Sequence, residues 1–144
     1  MPDTGALNPD HVPAQQTILI VEDDSAIREV VRDFLDSVGY RTLVARDGDE
    51  AVAISHAARP DLIVMDLMLP RLTGGEVAAR LKADLPTARI PIIAVSAVDD
   101  VDDLAELLPL DAVIAKPFDL DSLHRMIVSL LPGGPEVVPV PSSR

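Results

Sequence analysis

The 144-residue chain has no cysteine and no tryptophan. Without thiols there are no disulfides, no thiolate metal sites and no cysteine nucleophile, which fits a reducing compartment. Phe34, Tyr40 and Phe118 are its only aromatic residues, so Val, Leu, Ile and Ala must build the core and no stacking platform for nucleobases is on offer. Basic residues are the minority, 12 against 24 acidic ones, and they are scattered. That balance argues against a nucleic-acid backbone or an anionic membrane surface as the main partner. No apolar run reaches membrane-spanning length. Residues 1–16, with Pro2, Asp3, Pro9, Asp10 and Pro13, lack the apolar stretch of a secretory signal. A cytoplasmic location is the expectation.

What the chain does have is apolar content, 48%, enough to fill the core of one domain. Residues 1–16 and the stretch 132–144, which holds four prolines and Gly133-Gly134, read as disordered tails around a domain at 17–131. Within that domain, short buried-strand runs at about 17–21, 40–45, 61–65, 91–95 and 112–115 alternate with helical spacing. Ile27, Val30, Val31, Phe34, Leu35 and Val38 trace one apolar helix face that Gly39 stops. Leu120, Leu123, Met126, Ile127, Leu130 and Leu131 trace another, ended by Pro132. Weaker helical patterns cover 51–58, 77–85 and 101–108. Five β-then-α units result, and strands apolar throughout need both faces covered. The expected fold is therefore α/β, a doubly wound parallel five-stranded sheet between helix layers.

Four of the runs end on a polar residue suited to phosphoryl chemistry. Glu22 and Asp23 follow Val21, Asp66 follows Met65, Ser96 follows Val95, and Lys116 follows Ala115. In a parallel sheet these ends meet at the carboxyl edge, where open α/β proteins place their sites. Each residue also has a plainer reading. Asp24 or Ser25 can cap the following helix while its acidic neighbours favour the positive end of the dipole; Lys116 can be a solvated strand-end lysine; Ser96 can be a turn residue or a cap. Their joint placement favours chemistry. Two like charges about 4 Å apart repel by roughly 4 kcal/mol at an effective dielectric of 20, so Glu22, Asp23 and Asp66 gathered together call for a cation. Mg²⁺ suits carboxylate oxygens beside phosphate, and the acid spacing of an EF-hand Ca²⁺ loop is missing.

In that setting the sequence resembles the receiver domain of two-component response regulators. The likeness runs from about residue 17 to 131 and is carried by Val21-Glu22-Asp23-Asp24 with Ile27-Arg28-Glu29, by the run into Asp66 followed by Pro70 and Gly74, by Ser96-Ala97 and by Lys116-Pro117-Phe118. The resemblance implies a flavodoxin-like (βα)5 sandwich with strand order 2-1-3-4-5, an order known for such proteins. It implies that Asp66 accepts a phosphoryl group, that Asp23, Asp66 and the Met68 backbone carbonyl ligate Mg²⁺ with Glu22 acting through water, that Ser96 bonds a phosphoryl oxygen, and that Lys116 pairs with the phosphoryl group or Asp66. A cis peptide before Pro117 is implied too. The implied partners are a sensor histidine kinase or histidine phosphotransfer protein, a downstream protein target and a second copy of the chain.

Val113 stands where receivers usually carry a mobile aromatic residue, and Pro109-Leu110-Asp111 replaces a common Gly-containing loop. The acids Asp99, Asp100, Asp102, Asp103 and Glu106 read as a solvated, dipole-favoured helix start. His11, His56 and His124 read as ordinary surface or boundary residues. With about 13 residues after 131, too few for an output module, the expectation is a stand-alone receiver that is not an enzyme beyond its own phosphorylation and dephosphorylation. Two alternatives stand beside it. One is a receiver-fold binding module that signals without phosphorylation. The other is a haloacid-dehalogenase-like phosphohydrolase, which wants an Asp two residues after its nucleophile where this chain has Met68.

Overall fold

The computed structural model describes residues 15–97 and 109–135. Five parallel strands, β1 (Thr17–Val21), β2 (Arg41–Ala45), β3 (Leu62–Asp66), β4 (Ile92–Ala97) and β5 (Ala112–Lys116), form one sheet. Their order is β2-β1-β3-β4-β5, so the flavodoxin-like architecture expected from the sequence is the one observed. Among the described residues there are four helices: α1 (Ser25–Val38), α2 (Gly48–Ala58), α3 (Gly74–Ala83) and α4 (Leu120–Leu130). The helix expected over 101–108, with its acidic start, and most of both expected tails lie outside the described residues.

Strand alternation divides the core in two. Leu19, Val21, Ile63, Met65 and Ile92 pack with Val77, Ala78 and Leu81 of α3 and Ala51 of α2. Ile18, Ile20, Leu62, Val64, Ile93, Val95 and Ile114 face Val31 and Leu35 of α1 and Leu123 and Ile127 of α4. This is why the inner strands β1, β3 and β4 read as unbroken apolar runs: neither face meets water.

Helix starts follow their caps. Asp24 caps α1, accepting from Ala26 and Ile27 at 2.9 and 3.2 Å, and Gly39 at φ +112° closes it. α2 begins three residues before the sequence pattern, because Asp47 accepts from the Glu50 amide at 2.8 Å. α3 also begins three residues early, at Gly74, because Thr73 and Glu76 form a reciprocal capping box. It ends at Ala83 rather than 85.

The packed chain continues past Leu131, the expected end of the domain. Gln16 Nε2 donates to the Pro132 carbonyl at 3.2 Å, and the Pro135 carbonyl lies 3.2 Å from His124 Nε2. A β-carbon on Gly134 would collide with the Gln16 side chain and crowd Tyr40. His124 is consequently no boundary residue: it is 2% exposed, edge-on to Phe34 and Tyr40 at 6.0 and 5.7 Å.

Candidate functional site

The three carboxylates predicted to meet do meet. Glu22 follows β1, Asp66 ends β3, and Asp23 sits in the turn into α1. One oxygen from each lies within 4.8 Å of the others. Register explains it. Val21 is paired with Met65, so the next residues, Glu22 and Asp66, emerge side by side, continuing the alternation of Ile20 and Val64. Lys116 continues that of Ile114 from β5. Its Nζ donates to Asp66 Oδ2 at 2.9 Å, and the Lys116–Pro117 peptide is cis.

Glu22 and Asp66 are buried at 5% and 4% exposure, whereas Asp23 is exposed. The Met68 amide donates to Asp66 Oδ1 at 2.9 Å, and the Asp24 amide donates to Glu22 Oε2 at 3.2 Å. Ser96 is buried at the end of β4, one step beyond Val95, the register partner of Asp66. It belongs to the same edge, but among the described residues Asp66 accepts from Lys116 and Met68 and not from Ser96. Asp24 and Ser25 are accounted for by the α1 cap and first turn.

Charge crowding shows in the ionisation of the cluster. Burial pushes Glu22 up to about 7, with the Asp66 charge and hydrogen bond adding to the rise; the Asp24 amide and Lys116 oppose it. For Lys116, burial works to lower the ammonium, but the hydrogen bond and charge of Asp66, then the charges of Glu22 and Asp23, outweigh it and leave the group raised. The site therefore holds negative charge at a cost that one ammonium offsets only in part.

Three oxygens this close fit a small dication, whose opposed oxygen ligands stand about 4.2 Å apart. Asp23 is the exposed member of the three. Beside the site, an apolar groove of about 680 Å³ lined by Ala26, Ile27, Val30, Lys116, Pro117 and Phe118, among others, runs between α1 and the turn before α4. His56 lies away from this edge, its Nδ1 2.9 Å from the Val52 carbonyl and its Nε2 2.9 Å from Asp84 Oδ2. The sequence reading gave no role to Arg28, whose guanidinium reaches the turn that carries Glu22 and Asp23. Its only sequence signal is a basic residue four positions after the capping Asp24.

A profile of the response regulator receiver domain matches residues 18–128. The chain belongs to this family. It is 39% identical over 118 residues to the phosphate regulon transcriptional regulatory protein PhoB of Pseudomonas aeruginosa, a match covering 81% of the chain and 52% of the relative. It is 36% identical over 118 residues to the polar-differentiation response regulator DivK of Brucella anthropi, covering 81% of the chain and 96% of the relative. The chain spans about half the length of most of the curated transcriptional regulators it matches.

Among solved structures, the receiver domain of a sensor histidine kinase from Pseudomonas aeruginosa PAO1 has a magnesium ion coordinated in its active-site cleft. It is 33% identical, with a TM-score of 0.75, and the match covers 81% of this chain and 98% of that one. The response regulator TrrA of Thermotoga maritima, in complex with Mg²⁺ and BeF, is 28% identical at a TM-score of 0.73, covering 81% of this receiver and 100% of TrrA. No helix among the described residues is long and apolar enough to cross a membrane.

Proposed function

We propose that this receiver accepts a phosphoryl group on Asp66 and passes the change on through protein contacts. The observation that carries the reading is the buried Asp66 carboxylate, joined to Lys116 at 2.9 Å and set within reach of Glu22 and Asp23. Asp66 Oδ is the nucleophile. With a phosphohistidine protein as donor, the O–P bond to Asp66 forms as the P–N bond breaks, and the leaving imidazole keeps the electron pair and takes up a proton. The apolar groove beside Lys116 supports a protein donor resting against α1.

Mg²⁺ is the metal this donor set suits: Asp23, Asp66 and the Met68 carbonyl would ligate it and Glu22 would act through water. When bound, it supplies charge neutralisation for the phosphoryl oxygens, the main demand of phosphoryl transfer. Lys116 contributes a fixed ammonium to the same end. Ser96 is the hydroxyl placed to bond a phosphoryl oxygen, and its inward movement would draw the chain after β4. Phosphorylation exchanges the single negative charge of the Asp66 carboxylate for the charge of up to −2 of the acyl phosphate, a net gain of about one, and adds strong acceptor oxygens, which is the energetic source of that movement. The protein acts in the cytoplasm, where histidine kinases deliver phosphoryl groups, and turns over no external substrate.

Incubation with a small phosphodonor and Mg²⁺, followed by weighing the intact protein, tests the proposal. A mass gain of one phosphoryl group that needs Mg²⁺ and is absent in Asp66→Asn is expected. No gain, or an equal gain in Asp66→Asn, contradicts it.

Val113 favours a second reading, in which the fold is a binding module indifferent to phosphorylation. It pairs with Ala94 and has no ring to swing inward. Amide NMR spectra with and without beryllofluoride and Mg²⁺ separate the two: shifts confined to the cleft support the module, and shifts that spread along β4 and β5 remove it.

A further inference from the structure

Several groups in the turn from β1 to α1 are tied down. The Glu22 amide donates to the Ala45 carbonyl of β2 at 3.0 Å. The Glu22 carboxylate receives the Asp24 amide, and the Asp24 carboxylate is spent on the α1 amides. The Glu22 carbonyl accepts from Arg28 Nη1 at 2.9 Å, and the same nitrogen lies 3.5 Å from the Asp23 carbonyl. The exposed Asp23 carboxylate takes no part in these bonds.

Arg28 is unusual in how its charge is used. Its neighbours pair with one another, Arg32 with Glu29 and Arg46 with Glu50, and among the described residues no carboxylate lies within ion-pair distance of Arg28 itself. A guanidinium presents several donors in a rigid fork, and here one of them is given to the Glu22 carbonyl, with the Asp23 carbonyl at the outer limit of hydrogen-bond reach of the same nitrogen. Because Arg28 stands at the end of the first turn of α1, this bond couples the helix to the turn that carries Glu22 and Asp23.

We infer that Arg28 is a positioning residue for the acidic site: by holding the Glu22 carbonyl, and with it the turn that carries Glu22 and Asp23, it presets the two side chains for a divalent cation. The inference rests on the proposed Mg²⁺ role of the cluster. Charge and positioning act in opposite directions here, which makes the claim sharp. As a nearby cation, Arg28 repels a dication, so if charge were its only influence its removal would tighten Mg²⁺ binding. As a clamp, it lowers the ordering cost of the ligands, so its removal weakens binding.

The experiment is a calorimetric Mg²⁺ titration of the full chain for wild type, Arg28→Gln and Arg28→Lys, with urea unfolding of each to establish that all three are folded. Arg28→Gln is expected to bind Mg²⁺ about 10-fold more weakly, the scale seen when groups that orient metal ligands are removed. Arg28→Lys, which keeps the charge and one donor, is expected to fall between the two. Arg28→Gln binding as tightly as wild type, or more tightly, overturns the inference while leaving the site intact. A wild-type chain that binds no Mg²⁺ overturns the metal role itself. If Arg28→Gln fails to fold, Arg28→Lys decides alone: weaker binding supports the clamp, and affinity equal to wild type overturns it.

Discussion

Lys116 Nζ lies 2.9 Å from Asp66 Oδ2, across 50 positions of sequence. Strand order β3-β4-β5 places one strand between them, and the long lysine stem crosses the end of β4 to close the gap. The pair is asymmetric: the carboxylate is buried and the ammonium is about one-third exposed.

That asymmetry sets what Lys116→Met does. Asp66 keeps its burial and loses its counter-charge, which destabilises the fold by about 1–2 kcal/mol once solvent screening of the lysine is allowed for. Phosphoryl uptake from a small donor falls by roughly 100-fold, the scale for losing one preorganised charge donor. Urea unfolding and the rate of intact-mass gain measure the two effects separately.

Glu22 gives the site a pH dependence of definite sign. Its folded value near 7 lies above the ordinary carboxylate value, so between the two the folded protein binds the extra proton. Without metal, this group makes stability fall as pH rises from about 4.5 to 7 and leaves it lower above that. Mg²⁺ binding has the opposite trend, weakening as pH drops through 7 and the carboxylate takes up its proton. Thermal unfolding at several pH values, with and without Mg²⁺, checks both slopes, and Glu22→Gln flattens them.

Much of this was legible in the sequence because the signals are local. A strand buried on both faces reads as an unbroken apolar run, and the polar residue that ends it marks the sheet edge. That is how Glu22, Asp66, Ser96 and Lys116 could be placed together before any coordinates. The reading missed where apolar spacing was followed past a local cap, and where the partners lie far off in sequence. Asp47 and the Thr73–Glu76 box start their helices three residues before the apolar spacing begins. His124 stands on the apolar stripe of its helix, four residues after Leu120 and three before Ile127, but as a polar residue type it read as a boundary residue, since the groups that cover it, Phe34, Tyr40 and Pro135, come from three other parts of the chain. Arg28 was given no role by the sequence, because its partners are carbonyls, which sequence does not display.

Gly74 stands close against the site. A β-carbon there would lie 2.8 Å from Leu67 Cα and 3.0 Å from the Asp66 carbonyl oxygen, both backbone atoms that cannot turn aside. Gly74→Ala is therefore expected to cost about 1–3 kcal/mol of stability and to slow phosphoryl uptake by shifting the end of β3. Gly75→Ala, one position further into α3, serves as the control in the same urea unfolding and mass-gain assays, with a smaller loss in each.

The measurement that bears most directly on the central claim is the location of the phosphoryl group. After reaction with a small phosphodonor and Mg²⁺, borohydride reduces an acyl phosphate to the alcohol, and peptide mass spectrometry finds the residue that has changed. The account predicts a single reduced position, Asp66, lost when Mg²⁺ is withheld. Reduction at Asp23 or another acid, or a phosphoryl group that survives borohydride untouched, would contradict it.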